Sequence, residues 1–164
     1  WHDDQPTPRT DWADVVRDVA LDLSALVAER SLDFSLDTTP ALVRSHAWAL
    51  RELSRNLLHN AIKNTPVGSR LAVALVSDAR TAALTISDSG PGISPALRER
   101  LFQPFSTETG AGSASTGSGL GLAICLGIVQ SLGGSIELIN RGPNVQVKGL
   151  DATVRLPLSS ESNN

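Results

Sequence analysis

The sequence predicts an α+β domain in which a mixed, mostly antiparallel sheet is covered on one face by about three helices. Apolar residues recur at helical spacing in three separate stretches. Two pairs of β-rich runs are joined by turn residues and imply hairpins. Helices and strands do not alternate strictly as βαβ units, which argues against a doubly wound sheet. With 164 residues and 41% hydrophobic content, a single domain with one sizeable core is expected.

Residues 1–9 are polar and contain two prolines, which suits a linker. Thr10 or Asp11 can cap a first helix whose apolar face is Trp12, Val15, Val16, Val19, Leu23, Leu26 and Val27. Leu32, Phe34 and Leu36 alternate with Asp33, Ser35 and Asp37, as in a half-buried strand. A second helix is expected from about Leu42 to Asn64, ended by Pro66 and Gly68, with Leu50, Leu53, Leu57, Leu58, Ala61 and Ile62 on its apolar face. Leu71–Ser77 and Thr81–Ser87 form a hairpin around Asp78-Ala79-Arg80. Ser94-Pro95 opens a short helix through about Phe102. Residues 107–119 are almost entirely Gly, Ser, Thr and Ala, the composition of a mobile loop. A third main helix starts near Leu120 and stops at Gly133-Gly134. Ser135–Ile139 and Ala152–Leu158 are the last strands, separated by Arg141-Gly142-Pro143-Asn144, and Ser159–Asn164 is a disordered tail. The expected domain therefore spans residues 10–158.

The formal charge of -3 supplies no general basic field, so nucleic acid is not an expected partner. Cys125 is the only cysteine and lies in an apolar stretch, which excludes an intramolecular disulfide and reads as core. Leu120–Val129, the longest strongly apolar run, falls short of the roughly 20 residues needed to cross a membrane. The chain opens on Trp1 and has no methionine, so a soluble piece excised from a longer protein is expected.

Three features carry chemistry. Asn56, Asn60 and Asn64, with Lys63 beside them, project from one stripe at the border of the second helix's apolar face. Any one of them could be a polar edge; three at i, i+4 and i+8 beside a lysine favour a site, because amide oxygens ligate Mg2+ and an ammonium meets phosphate. Asp88-Ser89-Gly90-Pro91-Gly92-Ile93 ends a strand. It is either an ordinary glycine-rich turn or a place where a buried carboxylate accepts from an adenine amino group while Gly90 and Gly92 allow close backbone approach. Gly117-Ser118-Gly119-Leu120-Gly121-Leu122 joins the loop to a helix, where amides and the helix dipole form a phosphate cradle. It lacks the Lys-Ser/Thr ending of a Walker loop and opens no βαβ unit.

The order of these features, with Phe102-Gln103-Pro104-Phe105 between the last two, resembles the Asn box, first glycine box, Phe box and second glycine box of histidine-kinase catalytic domains. These domains belong to the superfamily of gyrase, the heat-shock chaperone, histidine kinases and MutL. The segments Arg55–Lys63 and Gly119–Ile124 are similar to the kinase branch of bacterial two-component systems. The resemblance covers about residues 10–158 and implies the Bergerat α/β sandwich.

It further implies that Asn60, with Asn56, binds the Mg2+ that bridges the phosphates of ATP, and that Lys63 contacts phosphate. These three are the expected catalytic residues. Asp88 would read adenine. The remaining implied nucleotide contacts are Asn64, Gly90, Gly92, Ile93, Phe105, Thr107 and the run Gly117, Ser118, Gly119, Leu120, Gly121 and Leu122. ATP-hydrolysing relatives carry Glu at the position of Asn56, and an amide cannot replace it as a base. The implied reaction is therefore phosphoryl transfer from Mg·ATP to a histidine on a separate dimerisation and phosphoacceptor domain, followed by a response regulator. The parent is expected to be a homodimer in the inner membrane with this domain cytoplasmic, and the fragment to be a monomer.

The chain departs from the family pattern at three places. Asn64 stands where many kinases have an aromatic residue, the lid from Gln103 to Gly117 contains no Arg or Lys, and Gly149-Leu150 replaces the usual Gly-Thr of the last strand. None of His2, His46 and His59 has the context of a phosphoacceptor. Two other readings are a regulatory nucleotide-binding module without transfer, which the bare lid favours, and a serine kinase of the anti-sigma-factor type.

Overall fold

The computed structural model describes residues 7–90, 117–141 and 149–159, with the backbone alone described for 117–122. In chain order the elements are β1 (Arg9–Asp11), α1 (Trp12–Asp22), α2 (Ser24–Glu29), β2 (Asp33–Thr38), β3 (Leu42–Arg44), α3 (Ala47–Asn64), β4 (Arg70–Ser77), β5 (Thr81–Asp88), α4 (Gly117–Ser131), β6 (Ser135–Arg141) and β7 (Gly149–Pro157). The expected short helix of residues 94–102, the turn at 142–144 and the tail beyond Ser159 lie outside the described residues.

A five-stranded sheet runs in the order β2-β4-β5-β7-β6. The expected hairpin partners β4 and β5, and β6 and β7, pair antiparallel, whereas β2 joins β4 in parallel. Alternation decides which face is buried. On β5 every second residue, Ala82, Leu84 and Ile86, points to the core together with Leu71, Val73 and Leu75 of β4 and Val154 and Leu156 of β7. Trp12, Val16 and Val19 of α1, Leu50, Leu53, Leu57 and Ile62 of α3, and Cys125 and Val129 of α4 close that layer from one side. The other face keeps short polar ties such as the Thr85–Thr153 hydroxyl pair at 3.0 Å.

The structure corrects two boundaries. The second helix begins at Ala47, not Leu42, because Leu42–Arg44 is a strand paired antiparallel with Arg9–Asp11. A three-residue strand buries one side chain, Val43, and so shows no period in the sequence. Its pairing also draws in residues read as linker: the Pro8 carbonyl accepts from Ser45 N at 2.9 Å and Arg9 lies opposite Arg44. Asp11 links this small sheet to the first helix, its Oδ1 accepting from Ala13 N at 3.0 Å, the expected cap, and from Ala41 N at 2.9 Å.

The first helix is also broken at Leu23 instead of running through Val27. The Ser24 hydroxyl donates to the Leu21 carbonyl at 2.8 Å, a local bond that competes with the helical ladder. At the other end of the chain α4 starts three residues before Leu120 and ends at the expected pair, with Gly133 at φ 77° and Gly134 N bonded to the Val129 carbonyl at 2.9 Å.

Candidate nucleotide-binding site

The amide stripe forms as the spacing requires. Along α3 the apolar positions Leu50, Leu53, Leu57, Leu58, Ala61 and Ile62 are buried, Asn56 and Asn60 are half-buried at the border, and Lys63 and Asn64 are exposed. Asn56 Nδ2 donates to Glu52 Oε2 at 3.1 Å, which leaves the amide oxygen facing away from that partner. Asn60 makes no side-chain hydrogen bond to any described residue. One residue before each amide, Arg55, His59 and Lys63 form a parallel basic stripe. Burial, then Lys63 and Arg55, hold the His59 imidazole below its usual pKa, which favours the neutral ring.

Asp88 is the last residue of β5 and is buried, at 5% exposure. Its Oδ1 accepts from Gly90 N at 2.8 Å and Leu150 N at 3.3 Å, and no described donor engages Oδ2. Burial pushes its pKa above the ordinary carboxylate value. The Gly90 and Leu150 amides and then Arg141 pull it back, and Asp151 pushes it up again.

The turn after Asp88 is fastened to the end of α3. Ser89 N donates to Thr65 Oγ1 at 3.3 Å, and the Ser89 hydroxyl donates to the Arg70 carbonyl at 2.7 Å. Gly90 sits so close that a Cβ there would lie 2.6 Å from the Asn64 carbonyl oxygen, nearer than any side chain tolerates. Two of the three sequence features therefore meet: the amide helix ends where the carboxylate turn begins. The third supplies the backbone of the first turn of α4, with Gly117, Ser118, Gly119, Leu120, Gly121 and Leu122 helical. α4 packs on α3, and the Cys125 thiol donates to the Leu53 carbonyl at 3.7 Å. Burial pushes that thiol up to about 12, so Cys125 is core, as expected, and unreactive at neutral pH. Gly92, Ile93, Phe105 and Thr107 lie outside the described residues.

Several residues beside the site escaped the sequence reading. Thr65, fully buried, fastens the Asp88 turn, and Arg30 donates to the Thr65 carbonyl at 2.6 Å. Glu52 orients Asn56. Arg141 and Asp151 stand behind Asp88, where Arg141 donates to the Asp88 backbone carbonyl. Only Thr65, next to the amide run, and Glu52, one turn before Asn56, lie close enough in sequence to be suspected.

A buried carboxylate with one oxygen that no described donor engages, a helix border of amides and a glycine-rich helix start, all on one two-layer α/β frame, are features suited to a nucleotide-binding domain. The chain belongs to the family of histidine kinase-, DNA gyrase B- and HSP90-like ATPases, which matches residues 46–160. It is 37% identical over 144 residues to the signal transduction histidine-protein kinase/phosphatase MprB of Mycobacterium ulcerans, covering 81% of this chain and 28% of that protein. To the histidine-protein kinase BaeS of Escherichia coli it is 40% identical over 113 residues, covering 68% and 23%. The chain thus spans about a quarter of the length of these curated relatives.

Among solved structures, a mycobacterial MprB aligns with a TM-score of 0.78 at 31% identity, over 93% of this chain and 97% of that one. The catalytic domain of the histidine kinase ThkA aligns equally well, at 0.78 over 94% and 98%, and its 24% identity speaks to the fold alone. A structure of ThkA in complex with the response regulator protein TrrA aligns at 0.75 and 22% identity over 93% of this chain and 42% of that one. The fold is that of histidine kinase catalytic domains. Among the described residues no helix is long and apolar enough to cross a membrane.

Proposed function

We propose that this domain, residues 10–158 with β1 extending it to Arg9, binds Mg·ATP and donates the γ-phosphate to a histidine on a separate dimerisation and phosphoacceptor domain. The observation that carries the reading is the docking of the Asp88 turn on the end of the Asn-striped helix, which supports a purine-reading role for Asp88 next to metal- and phosphate-binding roles on that helix.

In this reading the Asp88 carboxylate accepts from the adenine amino group through Oδ2. Gly90 and Gly92 let the backbone come close to the base, with Ile93, Phe105 and Thr107 as further contacts. Asn60, with Asn56, holds Mg2+. The donors fit: Glu52 engages the Asn56 amide nitrogen and not its oxygen, and Asn60 has no competing described partner. A divalent ion there would draw charge from the phosphates and orient the terminal one for transfer. Lys63 meets phosphate as an ammonium, Asn64 lies at the nucleotide's edge, and the run Gly117–Leu122 presents amides at the helix start. Asn56 cannot deprotonate water, so catalysis rests on positioning ATP for an external acceptor.

The acceptor is assigned to another domain because none of His2, His46 and His59 has a phosphoacceptor's sequence context, and His59 lies half-buried on α3. A response regulator as the next partner is supported by the ThkA complex. The parent is read as a homodimer through its acceptor helices, anchored in the inner membrane with this domain in the cytoplasm. The isolated domain is read as a monomer.

Incubation with γ-labelled ATP tests the reading. The chain alone is expected to acquire no acid-labile phosphate. With the parent's acceptor domain and Mg2+, label is expected on histidine, and chelation is expected to abolish it. Phosphoserine would indicate a serine kinase, and no transfer a regulatory nucleotide module; either result overturns the proposal.

A further inference from the structure

Three strands converge behind the Asp88 carboxyl. Asp88 closes β5, Arg141 closes β6 and Gly149 opens β7, and the register sets Asp88 opposite Leu150 and Arg141 opposite Gly149. Gly149 has φ 149°, a conformation that side chains resist, and a Cβ there would fall on both the Arg141 guanidinium and the Asp88 carbonyl oxygen. The space left by that missing side chain is where the guanidinium passes. It donates to the Asp88 carbonyl, and its Nε stands 2.8 Å from Asp151 Oδ1. That second contact is a charge pair whose N–H is not directed at the oxygen, because both atoms are buried without a well-formed hydrogen bond.

We propose that Arg141, steered by Asp151 and admitted by Gly149, is a positioning residue for purine recognition: it pins the backbone of Asp88 and places a cation behind the reading carboxyl. The proposal rests on the nucleotide reading of the site. Leu150, opposite Asp88, contributes a backbone donor to the carboxyl and no polar side chain, so the guanidinium is the one charged donor among the described residues that touches Asp88. A planar fork suits the task, since one group can serve a carbonyl and a carboxylate on neighbouring strands.

Among the described residues, the charges acting on Asp88 come from β6 and β7. Arg141 favours the anion and Asp151 opposes it; α3 meets the Asp88 turn through the neutral Asn64 and the following Thr65, and Lys63 of its last turn is exposed to solvent. A purine amino group donates best to the anion, so nucleotide affinity should follow the ionisation of Asp88. Removal of the cation therefore moves the Asp88 midpoint up, and removal of Asp151 moves it down while Arg141 remains bound to the Asp88 carbonyl. A merely structural role would displace both variants the same way or not at all.

The test is an NMR titration of the Asp88 carboxyl carbon in the nucleotide-free chain, alongside calorimetry with ADP across the same pH range. In Arg141→Gln the midpoint is expected at higher pH than in the native chain, and in Asp151→Asn at lower pH. Arg141→Lys, which keeps the charge, is expected to lie nearer the native value than Arg141→Gln and guards against a variant that fails to fold. ADP affinity in Arg141→Gln is expected to fall several-fold, most strongly at the acidic end. Coincident midpoints in Arg141→Gln and the native chain, or displacement of Arg141→Gln and Asp151→Asn in one direction, would overturn the proposal. Failure of the native chain to bind ADP at any pH would instead remove the nucleotide reading, and the midpoints would still report whether Arg141 acts on Asp88.

Discussion

Asp88→Asn is expected to weaken adenine-nucleotide binding by roughly 10- to 150-fold while leaving the fold at least as stable at pH 7. The substituted Oδ1 can still accept from Gly90 and Leu150, so the turn keeps its bonds. What changes is the Oδ2 end, which no described donor engages and where an amide NH2 would face a purine amino group, donor against donor. Loss of a charge-assisted hydrogen bond costs about 1.5–3 kcal/mol, which sets the range of affinity.

Stability follows the opposite sign. Burial raises the Asp88 pKa above its unfolded value near 3.8, so the folded chain binds the proton more tightly. Between those two values the native state holds more protons than the unfolded one, and stability falls as pH rises through the window. At neutral pH the ionised carboxylate is a net cost, and asparagine removes it. Thermal unfolding at pH 7 and isothermal titration with a non-hydrolysable ATP analogue check both halves. A variant that binds normally would take Asp88 out of the site. The same ionisation predicts that the native chain loses affinity on acidification at a higher pH than an ordinary carboxylate would allow.

Trp12→Ala is expected to give the largest loss of stability, about 3–5 kcal/mol. Trp12 is completely buried, and its Nε1 donates to Ser54 Oγ at 3.0 Å, joining α1 to α3 across 42 positions of sequence. Truncation would open a cavity between the two helices and leave the buried Ser54 hydroxyl without that donor. Trp48→Ala is the matched control: Trp48 is 68% exposed, with one ring stacked on His46, and its loss should stay within about 0.5 kcal/mol. Urea unfolding of the two variants makes the comparison, and equal midpoints would show that the contact between α1 and α3 is not what holds the helical layer. Because that layer carries Asn56 and Asn60, bound nucleotide should recover part of the loss in Trp12→Ala by mass action.

Period is a guide to the interior of elements that bury several residues, and less so to their ends. The α3 face from Leu50 to Ile62 and the alternation of β5 were legible because each repeats its signal. Leu42–Arg44 was not, since one buried valine carries no period and only pairing with Arg9–Asp11 makes it a strand. The break at Leu23 is accompanied by one local serine hydroxyl bond, and the parallel placement of β2 beside β4 depends on partners far along the chain. The site divides in the same way. Asn56, Asn60, Asp88 and Gly90 stood out through motif spacing, whereas Arg141, Asp151 and Thr65 act through contacts that the fold alone creates. Arg141 in particular lies 53 positions from the carbonyl it holds.

The most direct test is to map backbone amide shifts on addition of a non-hydrolysable ATP analogue with Mg2+. Concerted changes are predicted at Asn60–Asn64, at Asp88–Gly90 and at Gly117–Leu122, with Thr85 and Thr153 on the far face of the sheet unmoved. Changes confined to that far face, or none in the three segments at saturating analogue, would contradict a shared nucleotide pocket.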